Sequence, residues 1–154
     1  MLLYLLRHAN ADTPAAQDDE RPLTGKGQAQ ARKVARFCSD HECLPELILT
    51  SPLLRARETA APLGERLGRE VFVTPWLKSG MEPEEALAGL QEHREFEAVL
   101  LVGHEPDLSR LIGHLLGCAG GQVLVRKASL TLLDVPVLRA GTATLLLALP
   151  CRLM

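Results

Sequence analysis

Aromatic side chains are scarce in this sequence, with three Phe, one Tyr and one Trp in 154 residues. That leaves no stacking platform for bases. An excess of positive charge is also missing: 17 Lys and Arg stand against 19 Asp and Glu, for a net charge of −2. No broad basic field exists for nucleic acid or an anionic membrane. The four cysteines, Cys38, Cys43, Cys118 and Cys151, contain no Cys-x-x-Cys and no metal-site spacing. They read as free thiols of a reducing compartment. No stretch reaches the roughly 18 apolar residues that span a bilayer, and the first residues lack the pattern of a signal peptide. The sequence therefore implies a cytoplasmic protein with no nucleic-acid or membrane partner.

What is present is the content of one globular domain over residues 1–154, with 47% apolar and 23% charged residues. Met1–Leu6 is a buried strand that stops at Arg7-His8. The polar stretch Asp12–Arg21 reads as a loop, and Thr24 caps a helix to about Ser39 with Ala31, Val34, Ala35 and Cys38 at helical spacing. Glu46–Thr50 is a second strand. Ser51 and Pro52 supply an N-cap and first-turn proline for a helix that Pro62 kinks or splits before Gly68. Val71–Val73 is a third strand, Pro83–Gln91 a helix, and Glu97–Val102 a fourth strand. Pro106 starts a helix through Leu116, and Gln122–Val135 with Thr142–Leu149 form a hairpin. Alternating strands and helices predict an α/β three-layer sandwich: a mostly parallel sheet, helices on both faces, and a C-terminal antiparallel hairpin.

In a parallel sheet the ends of the first, second and fourth strands share one edge. Arg7-His8, Arg55 in the helix after Ser51-Pro52, and Gly103-His104 then converge on one crevice, where α/β sheets place ligands. Two guanidiniums that stay protonated, together with helix N-termini, match a phosphate dianion.

The run Leu5-Leu6-Arg7-His8-Ala9, then Arg21-Pro22-Leu23-Thr24-x-x-Gly27, then Ser51-Pro52-Leu53-Leu54-Arg55-Ala56-x-x-Thr59, then Val102-Gly103-His104 resembles the histidine phosphatase superfamily, also called phosphoglycerate mutase-like. The short length and the RPLT and SPLLRARET motifs look most like SixA-type phosphohistidine phosphatases. The chain departs from the pattern at Ala9, where the family has Gly, and at Asn10, where such chains often have Asp. The resemblance implies a phosphatase without metal or other cofactor. His8 would be the nucleophile that forms a phosphohistidine intermediate, its other ring nitrogen held by a backbone carbonyl. Arg7, Arg55 and a protonated His104 would clamp the phosphoryl oxygens.

Other candidates carry bland alternatives. Arg21 and Asn10 are candidate substrate-binding residues, with a loop-anchoring ion pair and a turn residue as the alternatives. Glu82 and Asp107 are candidate general acids, and each also fits a carboxylate at a helix N-terminus. Arg57 lies on another side of its helix from Arg55, and His41, His93 and His114 have no partner residues. The implied substrate is a phosphohistidine on a signalling protein such as a phosphotransfer domain. Small phosphate monoesters are the rival. A non-catalytic phosphate-binding module and a two-histidine metal hydrolase are further readings, disfavoured by the intact quartet and by arginines that repel a cation. The sequence leaves the oligomeric state open, with a monomer as the simplest case.

Overall fold

The computed structural model describes residues 1–13, 18–119 and 122–154. Six strands, β1 (Leu2–Arg7), β2 (Leu47–Thr50), β3 (Val71–Val73), β4 (Ala98–Gly103), β5 (Leu130–Asp134) and β6 (Thr144–Leu149), form one sheet in the order β3-β2-β4-β1-β5-β6. The first four are parallel, while β5 runs antiparallel to β1 and β6 antiparallel to β5. Four helices connect them: α1 (Gly25–Asp40), α2 (Leu54–Leu67), α3 (Pro83–Gln91) and α4 (Asp107–Leu116).

Near-continuous apolar runs make β1, β2 and β4 buried on both faces, as central parallel strands require. Period-two alternation divides their side chains between two cores. Tyr4, Leu6, Ile48, Leu100 and Val102 pack with Ala31, Val34, Ala56, Ala60 and Leu63 of α1 and α2. Leu3, Leu5, Leu49, Val99 and Leu101 face the other way, against Ala86 and Leu90 of α3 and Leu108, Leu111, Ile112 and Leu115 of α4. Helices therefore cover both faces, and the C-terminal strands form the antiparallel hairpin.

Local readings differ from the structure at five places. The N-cap of α2 is Leu53, not Ser51: Ser51 Oγ still accepts the Leu53 N–H at 3.2 Å, but helical geometry begins at Leu54. α2 also runs unbroken through Pro62 to a left-handed Gly68. The missing N–H removes one helical bond, and the buried flank of Ala60, Leu63 and Gly64 holds the segment helical. The helix expected to start at Pro106 has that residue at its N-cap and starts at Asp107. β5 begins only at Leu130, because residues before it fold back over the end of β1: Ala128 N–H donates to Arg7 O at 3.1 Å. The expected loop from Asp12 to Arg21 contains a 3-10 turn at Asp18–Glu20, and its residues 14–17 lie outside the described residues.

Candidate active site

Strand register sets the frame. Arg7 pairs with Gly103, and both Leu6 and Thr50 pair with Val102, so β1, β4 and β2 end at one level. His8 N–H bonds Gly103 O at 3.0 Å and Ser51 N–H bonds Val102 O at 3.0 Å. His8 and His104 face each other with ring centroids 5.2 Å apart. Arg55 rises into the same place from the first turn of α2.

His8 is held by backbone. Its Nδ1 lies 2.8 Å from Ala9 O, and a carbonyl only accepts, so Nδ1 carries the proton and Nε2 the lone pair. Burial pushes the imidazole down to about 4; the Ala9 hydrogen bond opposes this, and the charges of Arg55, Arg7 and Lys127 reinforce it. At neutral pH His8 is a neutral ring with its lone pair on Nε2.

Ala9 shows why departure from Gly is tolerated. Its φ is not positive, its methyl is fully buried among the α1–α2 core, and its N–H donates to Thr59 Oγ1 at 3.0 Å. Thr59 in turn donates to Arg55 O at 2.7 Å, tying the His8–Ala9 turn to the helix that carries Arg55. Asn10 is a tether: its N–H donates to Gln30 Oε1 at 2.9 Å and its carbonyl accepts the Thr24 N–H at 3.0 Å. A Cβ on Gly27 would come within 1.9 Å of Asn10 O, so only glycine lets α1 approach this turn.

The three arginines Arg7, Arg55 and Arg21 are each engaged by protein. Arg7 Nη1 donates to Val125 O at 2.8 Å. Arg55, 3% exposed, donates to Asp18 O at 2.8 Å and Asp18 Oδ2 at 3.1 Å. Arg21 meets Asp18 Oδ1 at 2.9 Å and Asp12 O at 3.0 Å, so it reaches the site through Asp18. Burial lowers both the Arg7 and Arg55 guanidiniums below the ordinary arginine value, though they stay charged. Arg7 Nε, Arg55 Nε and His104 Nδ1 are buried without a hydrogen-bond partner among the described residues, as are Arg21 Nε and Arg110 Nε.

His104 differs from expectation. Burial first, then His8 and Arg55, push its imidazole down to about 3, so at neutral pH it is uncharged rather than protonated. Burial is the main cause, with Arg21 adding to Arg55 and the nearby Asp18 carboxylate opposing them. Its Nε2 lies 2.7 Å from Ser51 Oγ. With the Ser51 hydroxyl donating there, Nδ1–H is the donor that remains.

A profile of the histidine phosphatase superfamily (branch 1) matches residues 3–79. The phosphohistidine phosphatase SixA of Escherichia coli is 31% identical over 124 residues, covering 78% of this chain and 76% of that one. The chain belongs to the histidine phosphatase superfamily. An uncharacterized protein of Picosynechococcus is 36% identical over 139 residues, covering 84% of this chain and 82% of its own. The solved structure of the protein histidine phosphatase SixA complexed with tungstate superposes with a TM-score of 0.87 at 26% identity, over 100% of both chains. The resemblance and the phosphoglycerate mutase-like fold read from the sequence are thus both present in this enzyme.

The two candidate acids of this histidine phosphatase sit elsewhere in the hydrogen-bond network. Asp107, 2% exposed, accepts the Gly80 N–H at 2.8 Å and Arg110 Nη2 at 2.6 Å. Glu82 lies 3.3 Å from Arg110 Nη1 with its side chain 61% exposed. Both are joined through Arg110 and bond to none of His8, Arg55 or His104. Arg57 is exposed, His41 is exposed, and His114 lies 3.8 Å from Glu84 between α4 and α3. Asp18 is the site residue that sequence reasoning missed. Its only signal was the acidic run Asp18-Asp19-Glu20, which composition alone assigns to solvent. Among the described residues no three His, Cys, Asp or Glu side chains cluster to hold a metal, and no helix is long and apolar enough to cross a membrane.

Proposed function

We propose that the chain is a metal-independent phosphatase acting through a phosphohistidine on His8, with phosphohistidine of a signalling protein as its substrate. The observation that carries this is the His8–Ala9 bond: it fixes the tautomer and leaves Nε2 open beside Arg7, Arg55 and His104. Similarity to SixA, a phosphohistidine phosphatase, supports the substrate class.

In this reading Nε2 attacks phosphorus while the substrate P–N bond breaks and the departing imidazole leaves as a neutral ring, its distal nitrogen already protonated. The phosphorylated His8 ring keeps its Nδ1 proton on Ala9 O. Water then adds to phosphorus, the His8 P–N bond breaks, and dihydrogen phosphate leaves with both water protons. Arg7 and Arg55 stabilise the charge spread over the phosphoryl oxygens. A phosphoryl dianion beside His104 reverses the balance that keeps its imidazole neutral, so protonation of that ring accompanies binding. An imidazole leaving group needs little acid assistance, which makes a bystander role for Glu82 and Asp107 consistent with turnover.

Incubation with a labelled phosphohistidine protein gives an acid-labile, alkali-stable phosphoenzyme in the wild type and none in His8→Ala. Label retained in His8→Ala sinks the assignment, and activity abolished by a chelator sinks metal independence. Faster turnover of small monoesters than of the phosphohistidine protein would move the substrate to the rival class.

A further inference from the structure

Next to the histidine pair, and sharing Arg7 and Asn10 with its surroundings, lies a cavity of about 560 Å³ lined also by Lys26, Gln30, Arg126, Lys127 and Arg152. Five cationic side chains, Arg7 included, meet there, and none of the lining residues is acidic. The chain as a whole has more acids than bases, so this concentration is local.

The cations come from four separate segments: the end of β1, the start of α1, the loop before β5 and the turn after β6. Lys26, Arg126, Lys127 and Arg152 are exposed and make no ion pair among the described residues. Their mutual repulsion is visible at Lys127, whose ammonium is held below the ordinary lysine value by burial and then by Arg7, Arg21 and Lys26. The loop that presents Arg126 and Lys127 is fixed, not loose. Arg7 donates to Val125 O, and Ala128, at a φ of 54°, donates back to Arg7 O.

The lining contains no aromatic ring, which excludes a base-stacking ligand. Leu124 is its one large exposed apolar side chain, too little for a lipid chain. What relieves several separated cations at once is a surface bearing several carboxylates. We propose that this cavity is the docking site for an acidic patch flanking the phosphorylated histidine of the protein substrate. The inference rests on the phosphohistidine reading above, and it adds that the substrate is chosen by acidic side chains outside the phosphoryl group. A small polyanion shares that chemistry and is separated from a protein surface by the test.

Two peptides serve, each with one histidine, one flanked by Glu and Asp and the other by Gln and Asn. Binding of the unphosphorylated peptides, followed by fluorescence anisotropy, needs no catalysis. The acidic peptide is expected to bind at least tenfold tighter at low salt, with the preference collapsing as ionic strength rises. Lys26→Glu/Arg152→Glu is expected to cut the preference tenfold or more, and Lys26→Gln/Arg152→Gln to cut it less. Turnover of the phosphorylated pair should show the same ratio in kcat/KM. Equal binding of the two peptides overturns the proposal, as does a preference that survives both double variants with an unchanged melting temperature. Citrate competing as well as the acidic peptide at equal carboxylate concentration also overturns it, in favour of a small polyanion. A binding preference with neither phosphopeptide hydrolysed leaves the docking site standing and fails the phosphohistidine reading instead.

Discussion

Two arginine–carboxylate pairs lie on the two sides of this sheet edge, and they are built in opposite senses. At Arg55–Asp18 the guanidinium is buried, 4% exposed, and the carboxylate is 52% exposed. At Arg110–Asp107 the carboxylate is buried, 3% exposed, and the guanidinium 38% exposed. Each arginine keeps a buried Nε without a partner, so that atom does not tell them apart. The anion does. Asp107 is satisfied from inside by Gly80 N–H and Arg110, which braces α4 against the loop before α3. Asp18 is an exposed carboxylate on a short turn, and the buried cation it covers can accept another anion in its place. A buried cation with a replaceable partner makes a ligand site, whereas a buried anion with fixed partners makes a brace.

The largest expected effects test that contrast directly. In the proposed reading, Arg55→Ala removes charge-assisted hydrogen bonds to the phosphoryl group, each typically about 1.5–3 kcal/mol. Steady-state kinetics should show kcat/KM down by about 10²–10⁴. Asp107→Ala should do the reverse, costing about 2–4 kcal/mol of stability and changing kcat only a few-fold. Differential scanning calorimetry and kinetics on the same preparation decide between them. A hundredfold loss of kcat in Asp107→Ala with an unchanged melting temperature would make Asp107 a proton donor and break the comparison.

Acid tests the histidine pair beside Arg55. His8 and His104 titrate at about 4 and about 3 in the fold, below the value near 6.5 of an unfolded histidine. Between pH 6.5 and those values the unfolded chain binds more protons than the folded one, so stability falls as pH falls through that window. The melting temperature should drop on going from pH 7 to pH 4, and His104→Asn should reduce that drop. His8, the proposed nucleophile, remains deprotonated at Nε2 down to about pH 4, so kcat/KM should persist into mild acid. A bell-shaped profile with its acid limb near pH 6.5 would refute the buried, neutral imidazole.

Asp18→Ala is a smaller and more pointed change. It removes the carboxylate competing for Arg55 while leaving the guanidinium buried. Tungstate, the oxyanion bound in the related SixA structure, is expected to bind a few-fold tighter, and KM to fall with it. Weaker tungstate binding would mean that Asp18 holds Arg55 in place instead of covering it.

The parts of the site that could be read in the sequence are those set by strand ends. Arg7-His8, Arg55 and Gly103-His104 follow from a parallel sheet, because the topology alone brings β1, β2 and β4 to one edge. Long-range and electrostatic facts were out of reach. Asp18 reaches the site through ion pairs with Arg55 and Arg21, residues 37 and 3 positions away, on a turn with no pattern of its own. The charge state of His104 depends on burial and on four neighbouring charged or titratable groups, His8, Arg55, Asp18 and Arg21, that only the fold assembles. Ser51 fitted the sequence rule for a helix cap, yet tertiary bonding to His104 and a helix start two residues later than the rule placed it give the side chain a second task. Pro62 fitted the rule for a break, and burial of its neighbours overrode it.

The smallest expected effect concerns Ala9, where the chain leaves the family pattern. At this turn Ala9 contributes only backbone atoms to the contacts that orient His8: its carbonyl accepts the hydrogen bond from Nδ1–H, and its N–H donates to Thr59 Oγ1. Any residue supplies those atoms, and φ here does not demand glycine. The methyl instead fills a fully buried position beside the α1–α2 core. Ala9→Gly should therefore cost about 1–2 kcal/mol, one buried methyl plus the added freedom of the unfolded chain. That corresponds to roughly 2–8 °C in melting temperature for a domain of this size. Turnover should stay within two- to threefold of wild type. A tenfold or larger fall in kcat, with tungstate affinity unchanged, would show that the methyl itself sets the imidazole angle, and that the brace-and-site division made for the two arginines fails at the nucleophile.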